Sequence, residues 1–120
     1  MPAIVAFSRS VTPQATSPDP ERLISGRPRL TVWNHYGDET QQFFAGVWEA
    51  TPGSWRIRYS EHEFCHLLAG RVVVTSDTGE RSEFTAGDSF VVAAGFSGTW
   101  EVVESCRKLY ALFERQVSPD

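Results

Sequence analysis

The sequence is poor in cysteine, histidine and long apolar runs, and each scarcity excludes a class of protein. Cys65 and Cys106 lie far apart without Cys-x-x-Cys spacing, so neither a zinc knuckle nor a redox dithiol is indicated. Two packed thiols are expected instead of a disulfide. No apolar run approaches the roughly 20 residues that cross a bilayer. The N-terminus also lacks the basic segment and apolar core of a secretory signal, which predicts a cytoplasmic protein.

Clusters of basic residues are also absent. The chain has 120 residues with 11 Lys and Arg against 15 Asp and Glu, a net charge of -4, and the two signs are interleaved. A nucleic-acid partner is not expected because its phosphates require a basic patch or stripe. The length and the 41% hydrophobic content fit one domain with one core.

The N-terminal part differs in composition from the rest. Residues 8–29 contain four prolines with many Ser and Thr residues, which favours an extended or irregular backbone. We predict an N-terminal arm over 1–28, extended or partly disordered, and a folded domain over 29–120. The arm could wrap the domain or reach a neighbouring subunit.

The remainder of the chain has short β-branched and aromatic runs between turn residues and no helical periodicity. This pattern predicts an all-β sandwich or barrel. The candidate strands are 29–34, 43–50, 53–60, 63–69, 71–76, 81–84, 89–93, 98–104 and 108–115.

One predicted strand carries polar groups on its core-facing side. Residues that share this face by alternation are Trp55, Ile57, Tyr59, Glu61, Glu63 and Cys65. Acidic and phenolic groups on an inward row are typical of a cavity wall. The opposite face, with Arg56 and Arg58, is predicted to lie outside and to suit contact with a second subunit.

Residues 53–70 and 87–100 resemble the two consecutive motifs of the cupin superfamily. Glu63 precedes Gly70 by the spacing that the motif gives its glutamate, and Gly87 begins the second motif. The positions of the motif's histidines are occupied by other residues, including Gly98. The resemblance implies a jelly-roll β-barrel without the usual metal-binding histidines, and hence no metal and no cofactor.

Several short segments resemble one branch, the ureidoglycine aminohydrolase-like cupin domains. They are GVWE at 46–49, PGSW at 52–55, EFCH at 63–66, AGD at 86–88 and GFSGTWE at 95–101. The resemblance implies a cupin barrel and, commonly, a homodimer. The aminohydrolases themselves are two-barrel manganese enzymes, whereas this chain has the length of one barrel.

A metal site is possible only under a different register. A bulge near Ser60 would turn His62 and His66 inward, where Glu61 or Glu63 could complete a site for a divalent transition metal. Without that bulge, both histidines have the wrong parity.

We predict a ligand pocket lined by Tyr59, Glu61, Glu63, Cys65 and Trp100. Glu61 and Glu63 are the catalytic candidates, because a carboxyl group on a barrel wall can transfer protons near neutral pH. The alternative for Glu63 is an ion pair with Arg56, Arg58 or Arg71.

Three functions remain open from the sequence. The first is binding, or metal-independent conversion, of a small polar metabolite. The second is a metal-dependent hydrolase of a ureido or amide compound. The third is a structural or dimerisation module, which requires an ion-paired Glu63 and a solidly filled barrel, with Trp48 and Trp55 among the filling residues. The sequence leaves open whether the chain is an enzyme.

Overall fold

The computed structural model describes residues 3–116, which form nine strands. The expected all-β fold is confirmed. The strands are β1 (Gln14–Thr16), β2 (Leu23–Gly26), β3 (Leu30–Gly37), β4 (Phe43–Ala50), β5 (Gly53–Arg58), β6 (His62–Ser76), β7 (Arg81–Thr85), β8 (Ser89–Val92) and β9 (Ser97–Phe113). Within residues 3–116 there is no helix of the length and apolarity that a membrane span requires.

Two long strands, β6 and β9, organise the barrel. They pair with each other antiparallel from His62 to Ser76, and each also contributes to two layers. The first layer runs β1-β3-β4-β9-β6-β8 through the C-terminal half of β9 and the N-terminal half of β6. The second layer runs β2-β5-β9-β6-β7 through the other halves. This curled sheet is the jelly-roll barrel that the sequence motifs imply.

The sequence divided each long strand into two, and this was wrong. The interruption at Gly70 is a bend within β6, where the pairing with β9 shifts register between Leu67 and Val72. Gly70 has a φ of +90° at this bend, and a Cβ there would overlap the carbonyl oxygen of Ser105. A register shift lets one strand pass from layer to layer without ending.

The N-terminal arm lies against the barrel of its own chain. The strand β1 pairs with the first layer at β3, and β2 pairs with the second layer at β5. The peptide N–H of Arg56 also donates to the carbonyl oxygen of Arg22, at 2.9 Å. Backbone pairing holds this segment, because the side chains of β1 and β2 are all exposed.

The core fills the space between the two layers next to the cavity of the barrel, and Trp55 and Trp100 contribute to both. Its buried side chains come from both layers: Ala50, Trp55, Cys65, Leu67, Val72, Val74, Val92, Trp100, Val102 and Cys106. On β6 the buried positions are odd from Glu63 to Leu67 and include Val72 and Val74 beyond the bend. The register shift therefore exchanges the parity of the inward face.

Candidate functional site

The barrel contains a partly open cavity of about 810 Å³. Its wall is built by side chains of β3, β4, β5, β6 and β9, and one side is completed by the N-terminal arm. The arm residues at the cavity are Thr12, Gln14, Pro18, Asp19 and Arg22. Since the arm is held mainly by backbone pairing, its side chains can contribute to the mouth of the cavity.

Four of the five predicted pocket residues line this cavity, and one does not. Tyr59, Glu61, Glu63 and Trp100 belong to the wall. Cys65 has the same parity as Glu63 but is completely buried and lies outside the wall. Tyr59 and Glu61 lie in the turn between β5 and β6, so their side chains reach the cavity from its end.

Glu63 forms a buried ion pair with Lys108 of β9. The Nζ atom of Lys108 is 3.0 Å from Oε2 of Glu63, and the two side chains are only 4% and 9% exposed. The alternative that Glu63 forms an ion pair is thus confirmed, but the arginines expected as its partners were wrong. Arg56 binds Asp77 and Arg71 binds Glu83, both on the exposed surface.

The ammonium group of Lys108 is also enclosed by aromatic rings. Its Nζ atom lies 4.4 Å from the ring centroid of Trp48 and 4.5 Å from that of Trp100. Attraction to the ring faces and to the Glu63 carboxylate compensates for the loss of water around the charge. Burial alone would lower the pKa of Lys108, but Glu63 and the nearby cysteines together leave the pKa of this ammonium above its usual value.

Tyr59 completes the hydrogen bonding of Glu63. Its hydroxyl group donates to Oε1 of Glu63 at 2.7 Å, so both carboxylate oxygens have a partner within the chain. Burial, and then the neighbouring Glu63, raises the pKa of Tyr59 well above its usual value. The phenol is therefore a stable hydrogen-bond donor and not a proton source at neutral pH.

The cysteines are free and buried, as the sequence predicted. The Nζ atom of Lys108 donates to Sγ of Cys65 at 3.6 Å. Burial raises the pKa of the Cys65 thiol to about 12 and that of the Cys106 thiol to about 11. Neither thiol ionises near neutral pH, which makes both of them poor nucleophiles.

Glu61 has a different environment from Glu63. It lines the cavity and is half-buried, yet no side chain among residues 3–116 donates a hydrogen bond to it. Arg58, also at the cavity, has no acidic partner in the same range. The cavity has a third carboxylate, Asp19 of the arm, which accepts a hydrogen bond from the peptide N–H of Glu21. Glu61 is therefore the carboxylate of the cavity wall that accepts no hydrogen bond from the described residues.

A second polar contact was not predicted from the sequence. Tyr110 of β9 donates its hydroxyl hydrogen to Oδ1 of Asn34 on β3, at 2.6 Å. Burial raises the pKa of Tyr110 to about 12. This hydrogen bond fixes the Asn34 amide at the cavity, where its NH₂ group is available to a ligand.

Lys108 is the residue that sequence reasoning missed. It shares parity with Tyr110 and Leu112, which also line the cavity, and with the buried Cys106. That alternation was the available signal. A lysine is usually exposed, however, so a single sequence gives no reason to place one inside a barrel unless its acidic partner is known.

The aromatic residues have a double role. Trp48 and Trp55 pack together at a centroid distance of 6.3 Å, and Trp48 contacts Trp100 edge to face at 5.9 Å. They were expected to fill the barrel, and they belong to its packed interior. They also form one wall of the cavity, so the barrel is not solidly filled.

The residues around Glu63 do not fit a metal ion of the kind that histidine-containing cupins bind. The pairing of β6 with β9 is regular from His62 to Leu67, and it directs His62 and His66 away from Glu63. His62 accepts a hydrogen bond from the peptide N–H of Ala94, and His66 bonds the hydroxyl of Ser89. Ser60, where a metal site required a bulge, lies in the turn between β5 and β6, and His62 and His66 have the parity opposite to Glu63 on the strand that follows. The ammonium beside Glu63 would also repel a cation.

Nor do other residues of the described chain supply a ligand set. No three His, Cys, Asp or Glu side chains within 3–116 are close enough to share a metal ion.

The family comparison matches residues 37–110 with the EutQ-like cupin domain. This segment covers most of the barrel, from the end of β3 to Tyr110. A comparison with curated proteins found no match.

Solved structures share the fold. A DUF861-family protein of unknown function from Pseudomonas syringae pv. tomato is 30% identical over 90% of this chain, with a TM-score of 0.78. This chain covers only 46% of that protein's length. A DUF861-family protein from Thermotoga maritima is 33% identical over 56% of this chain and 76% of its own, with a TM-score of 0.55.

The EutQ protein of Clostridium difficile has the same fold at a lower sequence identity. It is 13% identical over 74% of this chain and 65% of its own length, with a TM-score of 0.65. At that identity the likeness concerns the fold alone. Because the family model matches more than half of this chain, residues 37–110 of 120, and the chain folds as a β-barrel, the chain is a member of the EutQ-like cupin domain family.

Proposed function

We propose that this cupin domain binds a small polar metabolite in the barrel cavity. The observation that carries the proposal is a cavity of about 810 Å³ whose wall combines apolar rings with polar groups that lack partners. Ligand pockets commonly have volumes of 300–1,000 Å³ and a few convergent polar groups on an apolar wall. Here those groups are the Glu61 carboxylate and the NH₂ group of Asn34, whose Oδ1 atom already accepts the Tyr110 hydroxyl.

The structural-module alternative required two features, and they point in opposite directions. Glu63 is indeed consumed in an ion pair. A solidly filled barrel, the second requirement, conflicts with the open cavity beside Trp48 and Trp55. A purely structural barrel would gain stability if larger side chains filled this space, because they would bury more apolar surface. The cavity therefore favours ligand binding.

If the ligand is also converted, Glu61 is the better candidate for proton transfer. Both oxygens of Glu63 already accept hydrogen bonds, from Tyr59 and Lys108. Moving a proton through Glu63 would break a buried ion pair, which costs several kcal/mol. Glu61 can meet a ligand without that cost. This route needs no metal, whereas the metal-dependent hydrolase alternative needs a ligand set that the residues near Glu63 do not provide.

The wall suggests the chemical class of the ligand. A carboxylate acceptor at Glu61 and an amide at Asn34 match a compound with N–H donors and a carbonyl acceptor. The exposed part of the Trp48 ring offers a flat surface for a planar group. Ureido and amide compounds meet these requirements, and the sequence segments that resemble ureidoglycine aminohydrolase-like cupins point to the same class.

The test is calorimetric titration of the purified protein with a panel of small ureido compounds, amides and carboxylates, preceded by a thermal-shift screen. We expect a ureido or amide compound to bind and to raise the melting temperature. Glu61→Gln should weaken its binding at least tenfold, since one charged hydrogen bond is worth about 1.5–3 kcal/mol. The matched control is Glu39→Gln, an exposed glutamate away from the cavity, which should leave the affinity unchanged.

Two results would contradict the proposal. One is a panel in which nothing binds, and the other is a ligand whose affinity is equally insensitive to both variants. Urea unfolding of the Glu61→Gln protein tests whether the substitution leaves the fold intact. Its stability should lie within about 0.5 kcal/mol of the parent, because Glu61 makes no contact that the fold depends on.

A further inference from the structure

The N-terminal arm crosses from one layer of the barrel to the other beside the cavity. Since β1 pairs with the first layer at β3 and β2 pairs with the second layer at β5, residues 17–22 connect the two layers. Pro18, Asp19 and Arg22 of this connection belong to the cavity wall. The arm therefore brings charged side chains to the cavity mouth that the barrel strands do not supply.

A closed turn fixes the position of Arg22 on the arm. The peptide N–H groups of Arg22 and Leu23 both donate to the carbonyl oxygen of Asp19, at 2.8 and 3.1 Å. The Oδ1 atom of Asp19 accepts the peptide N–H of Glu21 at 3.0 Å. These hydrogen bonds define the backbone of the connection, so the Arg22 side chain starts from a fixed place at the cavity.

Arg22 lies beside the end of β5 that carries Arg58. The carbonyl oxygen of Arg22 accepts the peptide N–H of Arg56, and Leu23 is paired with Trp55. Arg58 follows Arg56 by two residues, which is about 7 Å along an extended strand. Two arginine side chains can span that distance, so the guanidinium groups of Arg22 and Arg58 can contact one small ligand.

The charges of Arg22 and Arg58 have no partner in the described part of the chain. Neither guanidinium forms an ion pair with an acidic side chain among residues 3–116. The third arginine of the wall, Arg56, differs because it binds Asp77 at 3.1 Å. Cationic groups at a concave site attract an anion more strongly than they would on an open surface, because the protein wall excludes part of the screening water.

We propose that Arg22 and Arg58 form an anion subsite at the cavity mouth, and that the ligand carries a carboxylate group which this subsite binds. The inference rests on the proposed binding function and adds the charge that the ligand must have. A planar guanidinium group matches a carboxylate through two parallel hydrogen bonds. The carboxylate of the ligand lies at the mouth, while Glu61 accepts from its N–H groups and Asn34 donates to its carbonyl oxygen.

The acidic groups of the wall favour a singly charged anion over a phosphate. Asp19 and Glu61 also belong to the wall, and neither has a cationic partner among residues 3–116. The wall therefore presents two unpaired positive and two unpaired negative groups. A dianion is repelled by the two carboxylates more strongly than a monoanion is. A ligand with one negative charge and several N–H donors fits this balance.

The arginines of β5 were expected elsewhere from the sequence. Arg56 and Arg58 were predicted to lie outside and to suit contact with a second subunit, whereas both belong to the cavity wall in the structure. Arg22 was part of the predicted arm and had no assigned role. The homodimer itself stays a prediction.

Calorimetric titration with matched pairs of compounds tests the subsite. Succinamate and succinamide have the same size and share an amide group, but only succinamate carries a carboxylate. N-carbamoylglycine and its amide form a second pair that contains a ureido group. We expect the acid of a pair to bind at least tenfold more tightly than its amide. This preference should fall as the concentration of sodium chloride rises, because salt screens the exposed guanidinium groups.

Substitution of each arginine assigns the preference to the subsite. Arg22→Gln and Arg58→Gln should each lower it at least threefold, and the double variant should abolish it, because the two arginines share one carboxylate. The matched control is Arg27→Gln, which removes the same charge from an exposed residue outside the cavity wall. It should leave the preference unchanged. Circular dichroism melting tests whether each variant is folded, and a shift of no more than a few degrees is expected at these exposed positions.

The possible failures of the subsite and of the proposed function differ. Equal affinity for acid and amide, or a preference that Arg27→Gln lowers as much as Arg58→Gln does, would overturn the subsite while the cavity still binds small polar compounds. Tighter binding of inorganic phosphate than of succinamate would overturn the assignment to a carboxylate. If both pairs and the whole panel of ureido compounds, amides and carboxylates fail to bind, the proposed function fails and the subsite fails with it.

Discussion

Glu63 and Lys108 show how one buried pair can depend on several strands. The carboxylate comes from β6, the ammonium from β9 and the enclosing rings from β4 and β9. The hydroxyl of Tyr59 adds the last hydrogen bond from the end of the cavity. The carboxylate and the ammonium group are each compensated for lost water only when the other strands are in place. The buried charges are therefore neutralised only in the correctly assembled barrel.

Lys108→Met should destabilise the protein by about 3–5 kcal/mol, because it leaves the Glu63 carboxylate buried without a counter-charge. Adding Glu63→Gln removes that isolated charge, and the double variant should recover most of the loss. Urea unfolding of the parent, both single variants and the double variant measures the coupling.

The control for this cycle is an ion pair on the surface. Arg81 contacts Glu83 at 3.4 Å but is 61% exposed. Arg81→Met should cost less than about 1 kcal/mol, because solvent screens the pair. Equal costs for Arg81→Met and Lys108→Met would contradict the burial of the Glu63 charge, because an exposed carboxylate loses little stability when its partner is removed.

At this scale the sequence predicted some residues and missed their partners. Alternation along 55–65 correctly placed Glu63 and Cys65 on the inner face. The ion-pair partner of Glu63 could not be predicted, because strand pairing brings together residues that are far apart in the sequence. Arginines close in sequence were the visible candidates, and the pairing of β6 with β9 selected Lys108 instead.

The strands β6 and β9 have charged and polar side chains on the inner face of the first layer and apolar side chains on its outer face. Odd residues of β6 before the bend, such as Glu63, face the interior, while Phe64 faces outward. On β9, Lys108 and Tyr110 face inward and Ala111 outward. A slip of one residue in the pairing would turn the charged side chains outward and the apolar ones inward. The buried ion pair and the outward position of Phe64 and Ala111 therefore favour the same register. The sequence predicted this alternation but not the continuity of either strand through its bend.

Gly70 and Gly79 provide a matched test of that bend. Their φ angles are nearly equal, +90° and +92°, so alanine is strained by a similar amount at both positions. Space distinguishes them, because a Cβ at Gly70 would overlap backbone of β9, whereas none of the described atoms lies within 4 Å of one at Gly79.

Gly79→Ala should therefore cost about 1–2 kcal/mol, the penalty of the left-handed conformation alone. Gly70→Ala should cost clearly more, about 3 kcal/mol or above, because β6 and β9 must separate to admit the methyl group. The difference in unfolding free energy between the two variants measures the close approach of the strands. Similar costs would show that the bend tolerates a wider spacing.

Over the whole molecule, interior groups retain their protons more strongly when the chain is folded. Burial raises the pKa of both thiols and of the phenols of Tyr59 and Tyr110. The pKa of Lys108 is also raised, because the attraction of Glu63 outweighs the effect of burial. The ordinary values are 9.0 for a thiol and 10.0 for a phenol. Above pH 9 the unfolded chain therefore binds fewer protons than the native one, and the free energy of unfolding must fall with rising pH.

We expect full stability below about pH 8 and a progressive loss as pH rises from 9 toward 12, the range between the ordinary and the raised pKa of Cys65. At pH 11 each thiol should account for about 2–3 kcal/mol of that loss, from 1.36 kcal/mol for each pH unit of displacement. Urea unfolding under reducing conditions at several pH values from 7 to 11 measures the slope.

Cys65→Ala combined with Cys106→Ala should lower stability at neutral pH, through lost packing, but flatten the slope above pH 8.5. A parent protein equally stable at pH 7 and pH 11, or a slope that the double variant retains in full, would show that the thiols are not held in the dry interior described here.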